Sequence, residues 1–231
     1  EIPVPDRSLV QLVGDEASES GVLAVAQSGA VWSVNVVAGS AHPVLPHTRP
    51  VTAVAHDRRR QRTATSSSRP MPVTVTDRGG DTHGVVTPIP LPPTVSPRHA
   101  LPCWTPAGEL VVTTRDGGVF RCAPDLLRVA KIAALVDPVH AVAAAPAGLP
   151  HMAAAGRQTA IIPLPPDGSR ASDPRLLSIG EDSGAVAWSP DGGTVAFGTR
   201  TGRVLLFDAA AGGSRGALTS HEREVDGIAF T

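Results

Sequence analysis

Four arginines recur at one phase of this sequence. Arg69, Arg115, Arg157 and Arg200 each stand four residues before an aliphatic strand opener: Val73, Val119, Ile161 and Val204. Gln27 holds the same slot before Val31. A guanidinium offers a rigid fork of donors that matches carboxylates and phosphates bidentately. Repeated at equivalent turns, it predicts a rim suited to a protein or peptide partner that is acidic or phosphorylated. Arg49 and Arg223 repeat at a second slot, shortly before Val51 and Val225, while Asp137 and Glu181 fill that slot elsewhere.

Other reactive groups point to less. The densest basic cluster, Arg58-Arg59-Arg60-Gln61-Arg62, reads as a solvated hairpin tip. No aromatics interleave it and tyrosine is absent, so stacking platforms for single-stranded nucleic acid are missing. Asp81-Thr82-His83 supplies two metal ligands, whereas zinc takes three or four protein ligands. His99, His140 and His151 are scattered. The string Gly212-Gly213-Ser214-Arg215-Gly216 matches Gly-x-Ser-x-Gly, but it lies in a loop leading to a short strand rather than on the strand-to-helix elbow that the motif needs, and no His-Glu-x-x-His metal motif occurs. No catalytic residue and no cofactor is assigned.

The elements that must carry the arginines are strands. Valine and threonine are abundant, there is one lysine, and glycine and proline supply 23 residues each, punctuating the chain throughout. That mix predicts many short strands joined by tight turns. The charge is nearly balanced, with 20 basic against 21 acidic residues, so no global field favours nucleic acid or membrane surfaces. No apolar run approaches the roughly 18 residues of a membrane span, and a cytoplasmic location is expected. Cys103 and Cys122 are the only cysteines. They fall on strands separated by a third, about 10 Å apart, beyond the roughly 7 Å a disulfide needs.

The strands repeat. The clearest unit runs from Ala185-Val186-Ala187-Trp188-Ser189-Pro190 through a turn at Asp191-Gly192-Gly193 to Thr194–Thr199. A second turn leads to Arg203–Asp208, and a loop at 211–213 to Gly216–Thr219. Equivalent first-strand ends fall at His56, Trp104, Ala144, Trp188 and Phe230, spaced 40 to 48 residues apart. Four strands in about 40 residues is the pattern of one propeller blade.

This unit resembles the WD40 family. The matching residues are Trp188-Ser189-Pro190-Asp191-Gly192, then Phe207-Asp208 in place of Trp-Asp, and His221 four residues before Val225. His47 stands equally far before Val51, and Asp116 matches the family's turn aspartate. Elsewhere the Trp-Asp pair decays to Val34-Asn35, Thr76-Asp77, Cys122-Ala123 and Leu164-Pro165, which predicts loss of the family's buried Trp–Ser/Thr–His–Asp network. With its alanine-, valine- and arginine-rich composition, the chain is similar to a degenerate bacterial, actinobacterial-like WD40 array.

The resemblance implies an all-β, WD40-like β-propeller over residues 1–231. Its blades are expected at about 6–47, 48–95, 96–135, 136–179 and 180–221, with a partial sixth at 222–231 whose inner strand is Glu224–Thr231. A segment of a larger, seven-bladed propeller is the favoured reading. Proline lacks a ladder donor and suits edge strands, so the run Thr87–Pro93 is placed on the second blade's outermost strand. Trp32, Trp104 and Trp188 are expected between blades, Trp32 being the best candidate for a surface hot spot. The function implied is a non-catalytic scaffold that docks a protein or peptide, the sensing part of a larger signalling protein. The alternative is a lactonase-like or TolB-like propeller enzyme acting on a small molecule.

Overall fold

Runs rich in valine, alanine and threonine end at turns bearing glycine or proline, and in the computed structural model they form twenty strands among the described residues. The structure describes residues 9–15, 21–26, 30–45, 51–57, 59–67, 73–77, 85–93, 100–146, 148–165, 173–219 and 221–230. The strands build five four-stranded sheets, each an antiparallel meander in chain order.

The first sheet holds β1 (Leu9–Asp15), β2 (Gly21–Ala26), β3 (Val31–Asn35) and β4 (Ser40–Leu45). The second holds β5 (Val51–Asp57), β6 (Arg62–Ser67), β7 (Val73–Asp77) and β8 (Val85–Pro88). The third holds β9 (Leu101–Trp104), β10 (Leu110–Thr113), β11 (Gly118–Cys122) and β12 (Val129–Ala134). The fourth holds β13 (Val139–Ala144), β14 (His151–Gly156), β15 (Thr159–Pro163) and β16 (Arg175–Leu177). The fifth holds β17 (Ser183–Trp188), β18 (Thr194–Thr199), β19 (Arg203–Asp208) and β20 (Ser214–Thr219). Each inner strand packs on the next, β1 on β5, β5 on β9, β9 on β13 and β13 on β17, which is the stacking of propeller blades.

The core therefore lies between blades. Val111, Val119 and Ile132 of the third blade meet Met152, Ala154 and Ile162 of the fourth. On the other face of β14, Ala153 and Ala155 accommodate Phe197 and Phe207 of the fifth blade. Small residues opposite large ones let the sheets interdigitate at crystal-like density. β1, β5, β13 and β17 each carry a register shift near their first residues. Such bulges increase twist and re-aim one side chain, which for β13 is His140.

Two tryptophans join neighbouring blades, as expected for them. Trp104 Nε1 donates to the Ala55 carbonyl at 3.2 Å, and Trp188 Nε1 donates to the Ala143 carbonyl at 3.1 Å. Trp188→Phe keeps most of the ring but orphans Ala143. A loss of about 1 kcal/mol is expected in urea unfolding, the usual worth of a hydrogen bond whose acceptor is only partly buried. A loss below about 0.3 kcal/mol would mean that water replaces the indole there. Trp32 is half-buried, and its Nε1 meets no acceptor among the described residues.

Cys103 and Cys122 are free thiols on β9 and β11, with β10 between them. Burial pushes Cys103 up to about 11 and Cys122 up to about 12, so neither is a ready nucleophile at neutral pH. The proline run meets the second blade's outer strand, β8, only at its end, where Pro88 pairs with Thr74. One expectation is corrected. Residues 224–230 form no strand: Val225 is buried and its N–H reaches the Thr199 carbonyl at 3.1 Å, but no ladder follows. Val225 seats over Gly198, where an added Cβ would lie 2.6 Å from its Cγ1.

Candidate functional site

The turns between second and third strands share one face with the loops that join blades. Arg115 sits in the β10–β11 turn, Arg157 in the β14–β15 turn and Arg200 in the β18–β19 turn, all exposed. Gln27, Arg49, Arg69 and His47 lie outside the described residues, as do Asp81, Thr82, His83 and His99. Each turn is anchored locally. Thr114 donates its hydroxyl to Asp116, the residue matched to the family's turn aspartate. Gly117, at φ +80°, lies so close to the Leu135 carbonyl that a Cβ cannot fit. Gly202, at φ +88°, meets the His221 carbonyl in the same way.

These anchors place the third blade's turn and the fourth blade's turn around one loop. Leu135 N–H donates to the Gly117 carbonyl at 2.8 Å, and Val136 N–H donates to Gln158 Oε1 at 3.1 Å. Gly117 follows Arg115 by two residues, and Gln158 follows Arg157 directly. The loop between them presents Val136, which is 86% exposed. Beneath Arg157, a buried hydroxyl bridge ties the fourth blade to the fifth. Ser183 Oγ accepts from Gly156 N–H at 3.1 Å and lies 3.0 Å from Thr159 Oγ1.

The arginines differ in electrostatics. Arg200 is spent: its Nε donates to Asp182 at 3.0 Å and its Nη1 reaches Glu224 at 3.4 Å. Arg203 pairs with Glu181. Glu181 is held below the usual carboxylate range, first by the Thr201 hydroxyl, then by Thr199 and Arg203. Arg115, Arg157 and Arg223 are exposed without a carboxylate partner among the described residues. The unpaired arginines of the described rim thus fall at the third and fourth blades, beside the carboxylates of Asp116 and Asp137, and at Arg223.

The residues matched to the WD40 motif divide by role. Phe207 is buried, edge-on to Phe197 with centroids 5.9 Å apart. Asp208 organises the next turn, accepting from Ala210 N–H at 2.9 Å and Ala211 N–H at 2.7 Å. The Ala211 N–H, then Arg215, depresses its carboxyl pKa. His221 is exposed, and its backbone carbonyl rather than its ring abuts Gly202.

The opposite face holds what sequence reasoning missed. Arg62 turns inward, stacking 4.4 Å over Trp104 and donating to the Gly108 carbonyl of the next blade at 2.8 Å. Its charge is met by buried Asp57 at 3.1 Å. Arg121 reaches from the third blade to the Pro165 carbonyl and pairs with Glu109. Arg175 of the fourth blade reaches the Ala209 and Ala210 carbonyls of the fifth. An arginine thus spans each of three successive junctions. A lone arginine in a strand carries no sequence signal for burial; Trp104 across the junction from Arg62 is the one hint. Among the described residues, no three His, Cys, Asp or Glu side chains cluster to hold a metal ion.

No family model matches the chain, and no curated protein matches it. Its architecture is similar to a solved structure, the β-propeller domain of Cps50 (Swd1) from Myceliophteria thermophila. The TM-score is 0.71 at 14% identity, covering 95% of this chain and 76% of that one. The fold is a β-propeller of four-stranded antiparallel blades.

Proposed function

We propose that the chain is a non-catalytic scaffold that docks an acidic or phosphorylated peptide segment of a partner protein, as the sensing part of a larger signalling assembly. One observation carries the reading. Two uncommitted guanidinium groups, Arg115 and Arg157, flank an aliphatic side chain that is almost wholly exposed, while Arg200 nearby is already neutralised. A desolvatable apolar centre with charged neighbours is how interface anchors are built, and arginine is enriched among them. The propeller fold suits this role because stacked blades hold many loops rigidly on one face.

The test is binding to an array of acidic and phosphorylated peptides, followed by anisotropy titration of the best probe. Arg115→Ala with Arg157→Ala is expected to weaken binding about 10- to 100-fold, and added salt to weaken the unsubstituted chain similarly. Arg200→Ala is expected to change it less than about threefold, since that charge is already paired. Equal losses from both sets would discard the third-to-fourth-blade rim as the site.

A further inference from the structure

On the opposite face, between the second and third blades, lies a cavity of about 230 Å³. Its walls include Arg60, Arg62, Trp104, Leu110, Cys122 and Leu126. We propose that this cavity binds a small monocarboxylate, its head on Arg60 and Arg62 and its short aliphatic body against Leu110, Cys122 and Leu126.

Charge and hydrogen-bond accounting point to an anion. Asp57 is shared by two guanidinium groups, Arg62 at 3.1 Å and Arg60 at 3.5 Å. Glu109, the carboxylate in the wall, is committed to Arg121. Of the described residues lining the cavity, Arg60 and Arg62 are the cations and Glu109 is the carboxylate. Arg62 Nη2 already serves Asp57 and the Gly108 carbonyl, yet its Nε–H is buried and meets no acceptor among the described residues. A buried N–H with no such acceptor is open to an oxygen from outside the chain, whether of water or of a ligand carboxylate. The Arg60 side chain is half-exposed, and its guanidinium lies against Gly108 in the same cavity wall.

Backbone geometry singles out the same place. Among the described residues, two that are not glycine adopt a left-handed φ: Gln61 at 51° and Leu126 at 61°. Gln61 lies between the two arginines and Leu126 forms the apolar wall. Such conformations are disfavoured for side-chain-bearing residues and concentrate at ligand sites.

The size of the cavity sets the ligand. It is below the roughly 300 Å³ at which sites for drug-sized molecules begin, so the body is a few carbons long. An adjoining groove of about 330 Å³ near Leu149 and Leu164 is larger. Its one guanidinium, Arg121, is spent on Glu109 and Pro165, so the unmet positive charge lies in the smaller cavity.

The test follows the Arg62 Nε–Hε resonance of the intact chain by NMR during titration with butyrate. Butyramide tests the need for charge, and inorganic phosphate tests the need for a body. A short peptide ending in valine, as acid and as amide, tests a chain terminus as the source of the carboxylate. A saturable shift with butyrate, none with butyramide, and about tenfold weaker binding in Arg60→Gln are expected. Arg60 packs on Gly108 of the third blade, so circular dichroism and the urea midpoint check that the variant folds. Binding of the peptide acid alongside butyrate would extend the site to protein C-termini; its failure would restrict it to free acids. Phosphate matching butyrate, unchanged affinity in Arg60→Gln, or no saturation would each overturn the proposal.

Discussion

Asp57→Ala is expected to destabilise the chain by about 3–5 kcal/mol, read from the shift of its urea unfolding midpoint. Asp57 is 7% exposed and faces Arg62, whose side chain is 12% exposed. Removing the carboxylate leaves a buried cation held by one carbonyl and an indole face. The cation–π contact contributes on the order of 1–2 kcal/mol, too little to offset the desolvation of an unpaired guanidinium. The Arg60–Asp57 pair adds little because Arg60 is half in water. Asp57→Ala combined with Arg62→Met is expected to recover most of the loss. Apolar replacement of a whole buried pair is often neutral, and methionine still packs on Trp104. A single-variant loss below about 1 kcal/mol would show that Arg62 reaches water and does not clamp the second blade to the third.

That clamp also marks the boundary of what the sequence discloses. The blade period was readable because each third strand opens on an aliphatic residue after a turn; β3 and β7 begin at Val31 and Val73 as expected. β11, β15 and β19 begin one or two residues ahead of Val119, Ile161 and Val204, because turn hydrogen bonding extends the ladder. The turn positions of Arg115, Arg157 and Arg200 were legible for the same reason, since turns keep fixed offsets from strands. Their partners were not: Asp182 and Glu224 come from loops 18 and 24 residues away from Arg200, and nothing periodic links them. The cluster around Arg60 reads as solvated, and Arg59, Arg60 and Gln61 are exposed, but Arg62 is not. Arg62 is the first residue of β6, and its inward turn depends on Trp104 of the next blade. Glu224–Phe230 has strand composition, but a strand needs a partner, and no described strand pairs with it.

Phe197→Ala is expected to cost about 3–5 kcal/mol, with the damage confined to one junction. Phe197 is fully buried between Ala153 and Ala155 of β14 and the edge of Phe207. The alanines opposite it are already minimal and cannot reach into the void. The residual cavity therefore stays large, which puts this site toward the costly end of the range. Loss of the edge-to-face pair adds about 0.5–1.5 kcal/mol within that total. Because the core lies between blades rather than at one centre, stability is close to a sum of nearest-neighbour terms. Hydrogen exchange should then accelerate in β17, β18 and β19, whose amides depend on the fourth-to-fifth junction. β6, β7 and β10, which pack around the Arg62 clamp, should keep their protection. Uniform acceleration through all five blades would instead show that the blades unfold as one cooperative unit. In that case the Asp57 and Phe197 variants should yield identical exchange patterns, and their destabilisations should add without coupling only in the global unfolding free energy.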